Sequence, residues 1–102
     1  MERETKKIIL PVSGKEVEVK TFFNMREKEA VLLTFSDDEG QNSVKKMISY
    51  QSELINQGVV SLDGSKENIL ERLKTEYRAK DYKFIVENLV ESNKEEDEKK
   101  GE

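Results

Sequence analysis

Lys6-Lys7-Ile8-Ile9-Leu10-Pro11-Val12-Ser13-Gly14-Lys15-Glu16-Val17-Glu18-Val19-Lys20-Thr21-Phe22 reads as a β-hairpin that reverses at Ser13-Gly14. A two-residue loop there sets Val12 opposite Lys15, Leu10 opposite Val17 and Ile8 opposite Val19. Side chains alternate along a strand, so Ile8, Leu10, Val12, Val17 and Val19 share one face. Ile9, Pro11, Glu16, Glu18 and Lys20 take the other. Gly14 supplies the positive φ that a tight reversal needs. A lone hairpin is marginal in water, so its apolar face needs a cover. The rest of the chain reads as helical and can provide one.

Working outward, Asn24 has the spacing of a capping box with Glu27, opening a helix to about Phe35. Met25, Leu32 and Phe35, flanked by Val31 or Leu33, are its expected buried stripe. Ser36 to Gly40 reads as an acidic loop. Asn42 to Gln57 carries the cleanest period: Val44, Met47, Ile48, Gln51, Leu54 and Ile55 fall on one face of a 3.6-residue repeat. Gly58 is placed for a left-handed C-cap. Val59-Val60-Ser61-Leu62 is either a third strand or an irregular crossing. Asp63-Gly64-Ser65 is a turn, with Ser65 or Asp63 as the next cap. A helix over Lys66 to Tyr77 buries Ile69, Leu70 and Leu73, with Tyr77 a further candidate. Asp81 can cap a last helix to about Ser92, with Tyr82, Ile85, Val86, Leu89 and Val90 inward. Asn93 to Glu102 has no apolar side chain and is expected to be disordered.

These readings give an α+β class: an N-terminal β-hairpin, with or without a short third strand, packed against three to four helices. Residues 1–92 form one domain and 93–102 a charged tail. Of the 102 residues, 34% are hydrophobic and 39% charged, a thin core that can lean on a partner. Basic and acidic residues number 18 and 22, net −4, and are interspersed without the basic stripe that phosphate binding uses. Nucleic acid is therefore not expected as a partner. No apolar run approaches membrane-spanning length, and the N-terminus lacks a signal-peptide pattern, so a cytoplasmic protein is expected.

The chain has no histidine and no cysteine. That removes thiolate nucleophiles, cysteine-ligated zinc, and the side chain that most often serves as a base near neutral pH. Ser13-Gly14-Lys15 is not a phosphate loop, because Ile9 stands where its first glycine belongs and Glu16 follows the lysine. Asp37-Asp38-Glu39-Gly40 does not fit a calcium loop, which would begin at Phe35. No catalytic residue, metal or cofactor is nominated, and an enzyme is not expected.

Two features remain. An open sheet edge can accept a strand from another subunit, which leaves a homo-oligomer open. The last helix crowds Tyr82, Phe84, Ile85 and Val86 into a wide apolar arc, suited either to the core or to a partner. From periodicity, the partner-binding candidates are Ile48, Leu54, Tyr82, Phe84 and Leu89.

The run Ile8 to Val19, followed by Met25-Arg26-Glu27-Lys28-Glu29-Ala30, resembles the start of small bacteriophage tail assembly chaperones. The segment Lys80-Asp81-Tyr82-Lys83-Phe84-Ile85-Val86 is similar to that family's late helix. The same opening also resembles phage baseplate hub assembly proteins. The resemblance implies a non-enzymatic protein of the host cytoplasm. It would bind the tape-measure protein, recruit tail-tube protein and leave as the tube polymerises. A structural or assembly component of a baseplate or virion is the alternative it allows. A small nucleic-acid-binding regulator stands further off.

Overall fold

A computed structural model of the chain describes residues 4–35 and 43–101, with side chains described over 4–34 and 44–91. The expected acidic loop at Ser36 to Gly40 and the side chain of Phe35 lie outside them. The class is α+β. Strands β1 (Thr5–Ile9), β2 (Glu16–Lys20) and β3 (Val59–Leu62) form one antiparallel sheet in the order β1-β2-β3. Helices α1 (Met25–Leu32), α2 (Ser43–Gly58), α3 (Ile69–Thr75) and α4 (Ala79–Gly101) accompany it, with a 3-10 turn at Leu33–Phe35 after α1.

The hairpin forms, but in a register two residues from the expected one. Ile8 pairs with Val17 and Lys6 with Val19. Leu10 N–H donates to Lys15 O at 2.9 Å and Gly14 N–H to Leu10 O at 3.0 Å, so the connection is Pro11 to Gly14. Pro11 explains the shift. The expected register places it in the ladder, where it has no N–H to give, whereas its fixed φ suits a turn. Gly14 has φ 76°, as the reversal requires. A shift of two preserves the faces. Leu10, Val17 and Val19 are buried and Ile8 half-buried, while Val12 leaves the sheet for solvent.

Val59 to Leu62 is the third strand, and its buried residues are Val59 and Leu62. Three positions apart, they would face opposite ways on a regular strand. The ladder shifts between Glu18 and Val19, leaving Val60 as the extra residue of a bulge, so both can point inward. Asp63 (φ 53°) and Gly64 (φ 82°) form the turn, closed by Leu62 N–H to Ser65 O at 2.8 Å and Ser65 N–H to Leu62 O at 2.9 Å. Two positive-φ residues are what a type I′ reversal takes. The cap of α3 is Asn68, not Ser65 or Asp63, and α3 is shorter than expected at both ends.

Helix α1 opens with the expected capping box: Asn24 Oδ1 accepts from Glu27 N–H, and Glu27 Oε1 from Asn24 N–H, both at 2.9 Å. Of its expected stripe, the flanking Val31 alone among the described side chains is buried. Met25, Leu32 and Leu33 are exposed, and the buried residues are Glu27 and Val31. Glu27 is held inward because Lys20 Nζ, at the end of β2, pairs with its Oε2 at 2.5 Å. The period of α2 holds only over its second half, where Leu54 and Ile55 are buried.

Gly58 ends α2 without a positive φ, so it is no left-handed cap. It is there for space. A Cβ would lie 2.5 Å from Leu89 Cδ2 and 3.0 Å from Phe23 Cζ, both belonging to buried side chains. Phe23, just after the hairpin, is a core residue that periodicity does not announce. The core joins Leu10, Val17 and Val19 of the hairpin to Leu54, Leu73, Ile85 and Leu89 of the helices.

The expected inward stripe of α4 is present: Ile85, Val86 and Leu89 are buried, Tyr82 and Val90 half-buried. The helix starts at Ala79, with Arg78 O accepting from Asp81 N–H at 3.0 Å and Tyr82 N–H at 3.2 Å. Its helical backbone continues past Ser92 to Gly101, through Glu- and Lys-rich sequence of good helix propensity.

Candidate interaction surface

Asp81 does not cap α4. Its side chain is fully buried and reaches across to the hairpin loop, where Oδ1 accepts from Val12 N–H at 2.8 Å and Oδ2 from Ser13 N–H at 3.0 Å. Both carboxylate oxygens are thus used by backbone donors, and the first turn of a helix favours a negative charge. The contact locks the tip of the hairpin to the start of α4. Its geometry is structural, since no oxygen of the carboxylate is left aimed at an open site. Among the described residues, no group of three or more His, Cys, Asp or Glu could hold a metal ion. None of the described helices is long and apolar enough to cross a membrane.

What the fold leaves open is apolar surface. Val44, Met47 and Ile48, the first half of the α2 stripe, are all more than half exposed at 62%, 54% and 52%. On the neighbouring α1 and its 3-10 turn, Leu32 and Leu33 are exposed as well. The same helix face that supplies Leu54 and Ile55 to the core thus continues outward through Met47 and Ile48, which stay more than half exposed. Single exposed apolar residues are ordinary, but a periodic run on one helix face is what a partner site presents.

Alongside lies a groove of about 370 Å³ between α2, α3 and α4. Ile48 and Gln51 come from α2, Leu73 and Lys74 from α3, Tyr77 from the following link, and Ala79, Tyr82 and Lys83 from the first turns of α4. Leu73 is buried and Tyr77 and Tyr82 are half-buried against the core, so the floor is firmly backed. Lys74 Nζ donates to Ser52 Oγ at 2.8 Å, which ties α3 to α2 beside the groove. A separate depression of about 410 Å³ lies by the hairpin tip, between Pro11 and Lys80, Lys83, Phe84 and Glu87.

Of the residues nominated from periodicity, Ile48 and Tyr82 meet in the groove. Phe84 is half-buried and lines the depression by Pro11 instead. Leu54 and Leu89 are fully buried core residues. Sequence reasoning does not reach Leu73, Tyr77, Lys74 and Lys83 as groove residues, because they come from different elements whose packing sets the site. Tyr77 and Lys83 offered the best signal, as an aromatic and a cation close to the break before α4. No family model, curated protein or solved structure matches the chain.

Proposed function

We propose that this chain is a non-enzymatic binding protein, a phage tail assembly chaperone that holds an amphipathic helical segment of the tape-measure protein and assists tail-tube assembly in the host cytoplasm. The observation that carries the reading is the exposed half of the α2 stripe, Val44, Met47 and Ile48. A helix laid in a groove engages a partner through apolar anchors at helical spacing, and a few such anchors supply most of the affinity. We take the client from the resemblance of the hairpin and late helix to tail assembly chaperones, which is read from the sequence alone.

A carrier of this kind has to stay soluble while offering apolar surface. Its 39% charged residues serve the first need and the open face of α2 the second. The test is co-purification with helical fragments of a phage tape-measure protein. The expected result is a complex that Ile48→Asp weakens while the fold survives. No complex at tens of micromolar, or presence of the protein as a stoichiometric part of mature virions, overturns the chaperone reading.

A further inference from the structure

We infer that the groove between α2, α3 and α4 takes an amphipathic helix whose apolar stripe is bordered by Asp or Glu. This inference rests on reading the chain as a binding protein and adds the charge and position of what is bound.

The groove is complementary to such a helix in both polarity and charge. The floor is apolar and aromatic, from Ile48, Leu73, Tyr77 and Tyr82, and two lysines, Lys74 and Lys83, line it as well. No carboxylate is among its described lining residues. In a chain of net charge −4, an acid-free groove flanked by cations is a local reversal of sign. Carboxylates at the margins of a bound helix would meet the ammonium groups, while margins of Lys or Arg would meet like charge. Both lysines carry long apolar stems that can lie along the ligand and keep their charges at the edge. Lys83 is exposed, and Lys74 is exposed with its amine on Ser52 Oγ, so both can reach a ligand without unfolding anything. Gln51, Tyr77 and Tyr82 among the lining residues carry polar groups beside the apolar ones.

The test uses the full chain and two designed helical peptides of about 20 residues. One has a Leu/Ala stripe bordered by Glu. The other has Lys at every Glu position. Binding is read by fluorescence anisotropy at low and high salt. The Glu peptide is expected to bind, and to weaken as salt rises. Lys74→Glu combined with Lys83→Glu should weaken it on the order of tenfold and let the Lys peptide bind instead. Lys7→Glu, the same charge change on the outer face of the sheet, should do nothing. Circular dichroism establishes that each variant is folded.

Equal binding of the two peptides, binding of neither, or a Glu-peptide affinity untouched by the lysine reversal overturns the inference. The outcomes separate it from the chaperone reading. A Glu peptide that binds while tape-measure fragments do not removes the chaperone role and keeps the groove. Tape-measure fragments that bind without regard to Lys74 and Lys83 remove the groove and keep the role.

Discussion

Replacing Asp81 by Asn or Ala should loosen the whole fold from one point. The carboxylate is fully buried and bonded to the backbone N–H groups of Val12 and Ser13 at 2.8 and 3.0 Å. Hydrogen bonds to a charged group contribute about 1.5–3 kcal/mol each when the freed partner stays dry. Val12 and Ser13 are exposed, so water can recover part of that in the Ala variant. About 1 kcal/mol per bond is then the reasonable net figure. The first-turn position on α4 adds about 0.5 kcal/mol from the helix dipole. Asp81→Ala should therefore cost about 2–3 kcal/mol, a fall of roughly 10–20 °C in Tm for a domain of this size. Asp81→Asn keeps one acceptor but turns an amide NH₂ toward a backbone N–H, and should cost nearly as much. Thermal and urea unfolding by circular dichroism gives the global number. Amide exchange gives the local one: Val12 and Ser13 should lose protection before the β1–β2 ladder does. Variants within about 0.5 kcal/mol of wild type, the usual range for surface changes, would refute the idea that this carboxylate anchors the hairpin.

Gly58→Ala should destabilise by about 1–3 kcal/mol, because its methyl overlaps buried Leu89 and Phe23 by more than the helix-propensity gain of about 1 kcal/mol can offset; a stabilised variant in urea would contradict this. Glu27→Ala removes half of the capping box and the Lys20 ion pair, and should cost about 2 kcal/mol. A double-mutant cycle with Lys20→Met should then show clear coupling between the two. Met47→Lys and Ile48→Asp should leave stability within about 0.5 kcal/mol and weaken partner binding, since both side chains are mostly in solvent. Leu54→Asp and Leu89→Asp should instead lose the cooperative unfolding transition, as each puts a charge into the core.

The faces of the hairpin were legible because period two survives any even shift of register. The register rests on two things. Pro11, whose missing N–H keeps it out of the ladder, is a local signal. Asp81, 69 residues away from Val12 in the chain, holds the loop that replaces the expected reversal and has no local signature. The capping box at Asn24 was legible for the opposite reason: all its partners lie within four residues. Helix α1 is so short that its stripe was decided by tertiary contacts. Lys20 draws Glu27 inward and leaves Met25 and Leu32 out. Periodicity found the apolar face of α2, yet it could not divide that face into a core half at Leu54 and Ile55 and an open half at Val44, Met47 and Ile48. The same limit explains why five nominated residues separate into two in the groove, one beside Pro11 and two in the core. A groove assembled from three helices has no signature in any one of them.

The most direct test of the account is a methyl-NMR footprint of the full chain titrated with a tape-measure helical fragment. The account predicts shifts confined to Val44, Met47, Ile48 and Leu73, with Val17, Val19 and Leu62 of the sheet unmoved. Shifts centred on Ile8 and Ile9 of β1, with the α2 methyls silent, would contradict it and make the sheet edge the binding element.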